Sequence, residues 1–292
     1  MRYVSTRNGQ KKYLLSEVLK MGICPVGGLF VPESLPKFND NFFDRKDDYL
    51  SFSEKLLHPF FEGDDLEKKL HEILKQALNF PVPLNEISSN HYLLELFHGP
   101  TAAFKDIGAR FLAVCFDKLG EQKTILVATS GDTGGAVASA FYEKKGIKVV
   151  ILFPKHGVSP LQRQQLTCWG QNILSLEVDG DFDDCQKLVK EAFLDKALCA
   201  KYALTSANSI NIGRLLPQMT YYAFSSYKLF SQSQTPINFV IPSGNMGNGM
   251  AAVWAKEMGL PIGEIHFACN ANRAIFDFFQ NKKFTARDSF KT

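Results

Sequence analysis

The chain has no long hydrophobic run, no paired-cysteine motif, no low-complexity segment and no excess of either charge. Each absence removes a class of function. No apolar stretch approaches the length of a bilayer span, so no membrane role is expected. The opening "MRYVSTRNGQKKYLL" has no apolar h-region, so no secretory signal is expected either. Basic residues number 33 and acidic residues 30, a net charge of +3. That balance, with no dense Lys/Arg stripe, argues against a nucleic-acid partner. The cysteines Cys24, Cys115, Cys168, Cys185, Cys199 and Cys269 are scattered among mostly apolar neighbours. No CxxC occurs, and no Cys/His cluster has metal-ligand spacing, so no metal is expected. They read as reduced core thiols of a cytoplasmic protein.

What is present is a globular composition, 45% hydrophobic and 22% charged over 292 residues. That length supports one large or two ordinary domains with a sizeable core. Residues 1–90 read as a mixed, mainly helical opening module. Within it, "KYLLSEVLKMGICPVGGLFVPESLP" predicts a helix, a Gly-rich turn and a short strand. "DDLEKKLHEILKQAL" (64–78) has apolar residues at helical spacing, and "FPVPLNEI" reads as a connection.

The pattern changes near residue 91. "KTILVATSG" (123–131) predicts a buried strand, "DTGGAVASAFYEKKG" (132–146) a helix ending at a glycine, and "IKVVILFP" (147–154) another buried strand. This βαβ unit implies a parallel sheet covered on both faces. Helices are predicted over 181–195 and, as one long element, over 209–230. A strand, turn and helix follow over 236–259, and a strand at 265–270. The architecture is open α/β, with a ligand at the carboxyl ends of the strands.

Two strand-to-helix turns share a plan: "VATSGDTGGAVA" (127–138) and "VIPSGNMGNGMA" (240–251). Glycines and a helix N-terminus together expose unpaired N–H groups to an anion. Neither turn matches GxGxxG or the P-loop, so dinucleotide and nucleoside-triphosphate readings are weak. The plainer alternative for each is a tight connection with no ligand. Lys105 lies in "LFHGPTAAFKDIGARFLA" (96–113), among small residues that leave room for a bulky group. Alone it reads as a surface lysine or one paired with Asp106. Beside two anion cradles it reads as a Schiff-base lysine for a carbonyl cofactor bearing a phosphate.

At this point the motifs resemble those of the threonine synthases, a fold-type-II family dependent on pyridoxal 5'-phosphate (PLP). "ELFHGPTAAFKDIGARF" (95–111) is similar to the family's cofactor-lysine motif, and "ATSGDTGGAVA" (128–138) to its substrate-side loop. "SANSINIGRLLPQ" (206–218) and "PSGNMGNG" (242–249) follow in the family's order, and "YVSTRN" and "GGLFVPE" resemble its N-terminal module. The resemblance covers essentially the whole chain. It implies a tryptophan-synthase-β-like α/β fold with three parts. These are an N-terminal module (1–90), a smaller domain with the lysine and substrate loop (91–205), and part of a larger domain with the phosphate loop (206–292).

The same resemblance implies the site. Lys105 forms the Schiff base, and Gly244, Asn245, Met246, Gly247 and Asn248 cradle the PLP phosphate. Ser130, Gly131, Asp132 and Thr133 lie over the ring and bind substrate anions. Asp132 stands where many fold-type-II enzymes have an asparagine near the PLP 3′-oxygen. Asn208, Ser209 and Arg214 hold the substrate phosphate, although Arg214 also suits a helix-face salt bridge. His98 receives no catalytic role. The implied reaction is that of a carbon–oxygen lyase acting on phosphate, in which O-phospho-L-homoserine and water give L-threonine and phosphate. Lys105 serves as base for the α and β protons. The chain is expected to be a monomer or homodimer. Family members extend beyond the end of this chain. The segment beyond is expected to complete the large domain and contact the pyridine nitrogen, so the chain reads as a fragment or a shortened member. Alternatives are a hydroxy-amino-acid dehydratase, a cysteine-synthase-like enzyme and a PLP-binding homologue without synthase activity.

Overall fold

The computed structural model describes residues 1–39, 42 and 46–283. Residues 284–292 lie outside the described residues.

The chain opens with β1 (Tyr3–Ser5), β2 (Asn8–Tyr13), α1 (Leu15–Met21), β3 (Phe30–Pro32), α2 (Tyr49–Phe61) and α3 (Leu70–Ala77). The strands form an antiparallel sheet in the order β2-β1-β3; β3 is the short strand expected after the Gly-rich turn, and β1 and β2 were not expected. α3 buries Leu70, Ile73, Leu74 and Ala77, the i, i+3, i+4, i+7 face its sequence displays. A hairpin follows, β4 (Leu84–Ser88) and β5 (His91–Leu94), turning at Asn90 with φ 62°. "FPVPLNEI" was expected to be only a connection. Its strand signal is weak because β4 buries no side chain.

The central layer comprises α4 (Lys105–Leu119), β6 (Lys123–Ala128), α5 (Asp132–Phe141), β7 (Ile147–Pro154), α6 (Pro160–Thr167), β8 (Ile173–Val178), α7 (Phe182–Leu194), α8 (Lys196–Tyr202) and β9 (Leu204–Thr205). The four strands are parallel in the order β8-β7-β6-β9. β6 and β7 are near-continuous apolar runs, as strands covered on both faces require. α5 stops at Phe141, ahead of the expected terminus at Gly146. Tyr142 turns extended and Glu143 adopts a left-handed φ of 57°.

The last part comprises α9 (Ile212–Leu215), α10 (Gln218–Ser233), β10 (Ile237–Pro242), α11 (Gly247–Glu257), β11 (Ile262–Ala268) and α12 (Ala274–Asn281). β10 and β11 pair in parallel. The single helix expected over 209–230 is two helices, because Pro217 has no N–H to give to the preceding turn. One contiguous core runs from Tyr3 to Ile262 and includes the buried face of α4, which packs on α3 and α5. Among the described residues, no helix is long and apolar enough to cross a membrane.

Candidate active site

The loop before α4 is held by Asp106, which is 1% exposed. Its Oδ2 accepts from the Thr101 amide at 2.8 Å, and its Oδ1 from Thr101 Oγ1 at 2.7 Å. A Cβ on Gly99 would collide with that carboxylate, so only glycine lets the backbone approach so closely. Asp106 is therefore committed to the loop and is not the partner of Lys105.

Lys105 is the first residue of α4, and its Nζ lies 2.8 Å from Asp132 Oδ2. The ammonium also stands 4.4 Å from the centroid of the Phe104 ring. Asp132 is the first residue of α5, where a carboxylate complements the positive end of the helix. Its other oxygen, Oδ1, accepts from Gln162 Nε2 at 2.8 Å. Burial raises the Asp132 carboxyl, but hydrogen bonds from Lys105 and Gln162 outweigh it and hold the group below its ordinary value.

Gln162 was not among the residues expected from the sequence. It sits third in α6, where its Oε1 accepts from the Ser159 amide at 3.0 Å and its own amide donates to Ser159 Oγ at 3.2 Å. With Oε1 used in this capping box, Nε2 faces Asp132. The S-P-L-Q spacing shows the cap, but nothing local shows that the same side chain reaches a carboxylate thirty residues away.

The turn into α5 is a built anion cradle. Gly131 has φ 143°, a region open essentially to glycine. Thr129 Oγ1 accepts from the amides of Gly131 at 3.0 Å and Gly134 at 2.9 Å. Among the described residues, the amides of Ser130 and Thr133 have no acceptor in the chain. The turn into α11 is the second cradle. Met246 is left-handed at φ 58°, and nothing would meet a Cβ on Gly244 within 4 Å. The amides of Gly244, Asn245, Met246, Gly247 and Asn248 likewise find no acceptor among the described residues. Asn248 Oδ1 instead receives Ser243 Oγ at 2.5 Å and the Gly249 amide at 2.9 Å, which stiffens the turn.

Ser130, Thr133, Asn208, Ser209 and Asn245 line one cavity of about 780 Å³. A Cβ on Gly247 would touch Ser209 Cβ at 3.6 Å, so the second cradle abuts the 208–209 segment. Asn208 Oδ1 is buried without a partner. Lys105, Gly131, Asp132, Gly244, Met246, Gly247 and Asn248 do not line this cavity, although each lies within a residue or two of one that does or bonds to such a neighbour. Arg214 is set apart. It is 3% exposed, donates from Nη1 to Ala207 O at 2.6 Å, and leaves its Nε without an acceptor beside Gly108. Burial pushes its guanidinium down to about 10, and the Asp106 carboxylate opposes that shift. His98 pairs with Glu95 at 2.7 Å.

These residues fit PLP. A primary amine stands at the start of a helix, and five unengaged amides around an open glycine form a separate cradle of the kind that takes a phosphate.

Comparison with known proteins agrees with this arrangement. A family model described as "Pyridoxal-phosphate dependent enzyme" matches residues 79–291, and one described as "Threonine synthase N terminus" matches residues 2–78. A threonine synthase of Buchnera aphidicola from Schizaphis graminum is 41% identical over all of this chain, which spans 70% of that protein. The crystal structure of threonine synthase from Escherichia coli superposes with a TM-score of 0.91 at 39% identity, over 98% of this chain and 68% of that one. A PLP-bound threonine synthase from Brucella melitensis superposes with a TM-score of 0.89 at 34% identity, over all of this chain and 65% of that one. The two consecutive family matches, with the lysine and both cradles inside the second, leave one conclusion: the chain belongs to the threonine synthase family of pyridoxal-phosphate dependent enzymes.

Proposed function

We propose that this chain, a PLP-dependent lyase of the threonine synthase family, converts O-phospho-L-homoserine and water to L-threonine and inorganic phosphate. The observation that carries the reading is the Lys105 Nζ–Asp132 Oδ2 pair, 2.8 Å long, at the open N-terminus of α5. The adjoining Ser130 and Thr133 line the same cavity as Asn208, Ser209 and Asn245.

Lys105 anchors PLP through its amine, and the amides of residues 244–248 take the cofactor's phosphate. When bound, PLP supplies an electron sink for the carbanion formed at the substrate's α carbon. Lys105 Nζ accepts the α proton and then a β proton, and it returns protons as the product forms. Asp132 holds the protonated amine between these transfers, and Gln162 holds Asp132. The unengaged amides of Ser130 and Thr133 receive the substrate carboxylate. Asn208 and Ser209 donate toward the phosphate that leaves the γ carbon. Arg214, completely enclosed, sets the position of the 207–208 backbone through its bond to Ala207 O.

The reading also includes the three units 1–90, 91–205 and 206–292, a cytoplasmic location, and a monomer or homodimer. The test is phosphate release from O-phospho-L-homoserine by the PLP-loaded chain, with amino-acid analysis of the product. Phosphate with equimolar threonine supports it. A PLP chromophore with no phosphate release overturns it in favour of a PLP-binding homologue, and ammonia release with a 2-oxo acid favours a dehydratase.

A further inference from the structure

The N-terminal module reaches the cavity. The loop between α1 and β3 places Ile23, Cys24, Pro25 and Gly27 on the same wall as the first cradle. None of these four side chains is charged. Cys24 is 3% exposed, and Pro25 is exposed at the rim. The loop is tied at both ends. At its root, a Cβ on Gly22 would meet Thr205 Oγ1 at 2.7 Å and the Ser206 nitrogen at 2.9 Å, so the chain lies directly on β9 and on Ser206, itself a lining residue. Asn211 Nδ2 donates to Leu19 O at 3.2 Å and to Ser206 O at 2.9 Å, which joins the end of α1 to the same segment. At its far end, Ser5 Oγ donates to Gly27 O at 2.8 Å, and Thr6 Oγ1 accepts from the Leu29 amide at 3.0 Å. Supported in this way, the loop is a fixed part of the wall.

The reaction has a use for such a wall. Once phosphate has left the γ carbon, the remaining four-carbon fragment takes up one water and has two balanced exits. In the first, the water oxygen bonds to the β carbon, its protons stay with the fragment, the C–N bond survives, and the product is threonine. In the second, the fragment escapes before that addition. The water oxygen then bonds to the α carbon, the C–N bond breaks, the nitrogen leaves as ammonia, and the product is a 2-oxo acid. Each exit consumes one water, and neither needs an oxidant or reductant. A wall that holds the fragment in place and keeps bulk water from it favours the first exit. We infer that the loop carrying Ile23, Cys24, Pro25 and Gly27 is that wall, and that it sets the division of product between threonine and 2-oxo acid with ammonia. This rests on the function proposed above and gives the N-terminal module a part in its outcome.

The experiment uses the full chain loaded with PLP and supplied with O-phospho-L-homoserine, and measures phosphate, threonine, ammonia and 2-oxo acid. The variants are Ser5→Ala, Thr6→Val, Thr6→Ser and Ser53→Ala. The first two each remove one tie at the far end of the loop, and Thr6→Ser keeps the hydroxyl. Ser53→Ala removes a hydroxyl that bonds Tyr49 O within α2, a control for general loosening of the module. Alkylation of Cys24, read by peptide mass spectrometry, follows the loop without turnover. Ser5→Ala and Thr6→Val are expected to raise both the ammonia-to-threonine ratio and the Cys24 alkylation rate about fivefold, the shift that loss of one neutral hydrogen bond produces. Thr6→Ser and Ser53→Ala should keep the wild-type values, and PLP loading should not change in any variant. A wild type that makes threonine, with the same product ratio in every variant, overturns the inference, as does an equal rise in Ser53→Ala. A wild type that makes no threonine overturns the proposed function and the product division with it. Cys24 alkylation still decides the loop in that case: a faster rate in Ser5→Ala and Thr6→Val supports it as the cavity wall, and equal rates overturn that too.

Discussion

Lys105 Nζ and Asp132 Oδ2 stand 2.8 Å apart, and Gln162 Nε2 holds the far oxygen of the same carboxylate at 2.8 Å. Three elements thus meet in one hydrogen-bonded line: the start of α4, the start of α5 and the first turn of α6. Whatever enters the site has to break this pair to free the amine.

Lys105→Ala is expected to lose all covalent PLP. Borohydride reduction followed by mass spectrometry reads this directly, with one cofactor-sized increment in wild type and none in the variant. The variant should keep its thermal midpoint within a few degrees, since only a partly exposed pair is lost. An unchanged increment in the variant would place the attachment on another lysine.

Asp132 gives the site a pH signature. Burial raises this carboxyl, hydrogen bonds from Lys105 and Gln162 outweigh the burial, and its value in the fold lies below the ordinary 3.8. A lowered carboxyl favours the fold in its charged form. The stabilisation is complete above the ordinary value and disappears as pH falls through the lower, folded one. Urea midpoints of wild type and Asp132→Asn, measured from about pH 6 to about pH 2, should differ by a constant amount in the upper range and converge at the acid end. A gap that widens on acidification would contradict the assignment.

Gln162→Glu should impair PLP capture more than Gln162→Ala does. Glutamate places a second carboxylate against Asp132 Oδ1, where Gln162 now donates, and the repulsion draws Asp132 away from Lys105. Alanine loses the acceptor that caps the Ser159 amide, whereas glutamate retains one. The rate of chromophore formation with added PLP separates them. Equal rates would show that Gln162 acts only as a cap.

Thr129→Val tests the first cradle by stability alone. Valine keeps the shape but removes the oxygen that accepts from the amides of Gly131 and Gly134. Two buried donors are then left unpaired, a loss of about 1–3 kcal/mol each when unrelieved. Denaturant unfolding should show a midpoint drop at constant slope. A shift within error would mean that water or a rearranged turn replaces the hydroxyl.

Gly134→Ala tests the packing beneath the same helix. A Cβ there would meet Leu166 Cδ2 and Thr129 Cγ2 at 2.5 Å each, both enclosed, so α5 must move off α6 and the sheet. A loss of about 1–3 kcal/mol is expected despite the better helix propensity of alanine.

Local chemistry was legible in the chain because its causes are local. The apolar run of β7, the strand–Gly–helix plan at 127–138 and 240–251, and the stripe of α3 each follow from neighbours a few residues apart, and each is where the periodicity put it. The hairpin at 84–94 escaped notice because its exposed strands carry no alternation to read. The split of α9 from α10 turned on Pro217, a local signal overridden in the reading by the apolar periodicity around it.

The sequence by itself determined that a lysine motif and two glycine cradles occur, in the order and context of one enzyme family. Only the tertiary structure decided their partners. Asp106, next in the chain to Lys105, turned out to bind Thr101, while Asp132 took the lysine. Arg214 was drawn into the core against Gly108. The reason is physical. A side chain's partner depends on which helix faces pack together and which groups that packing desolvates, and both are set by contacts remote in sequence.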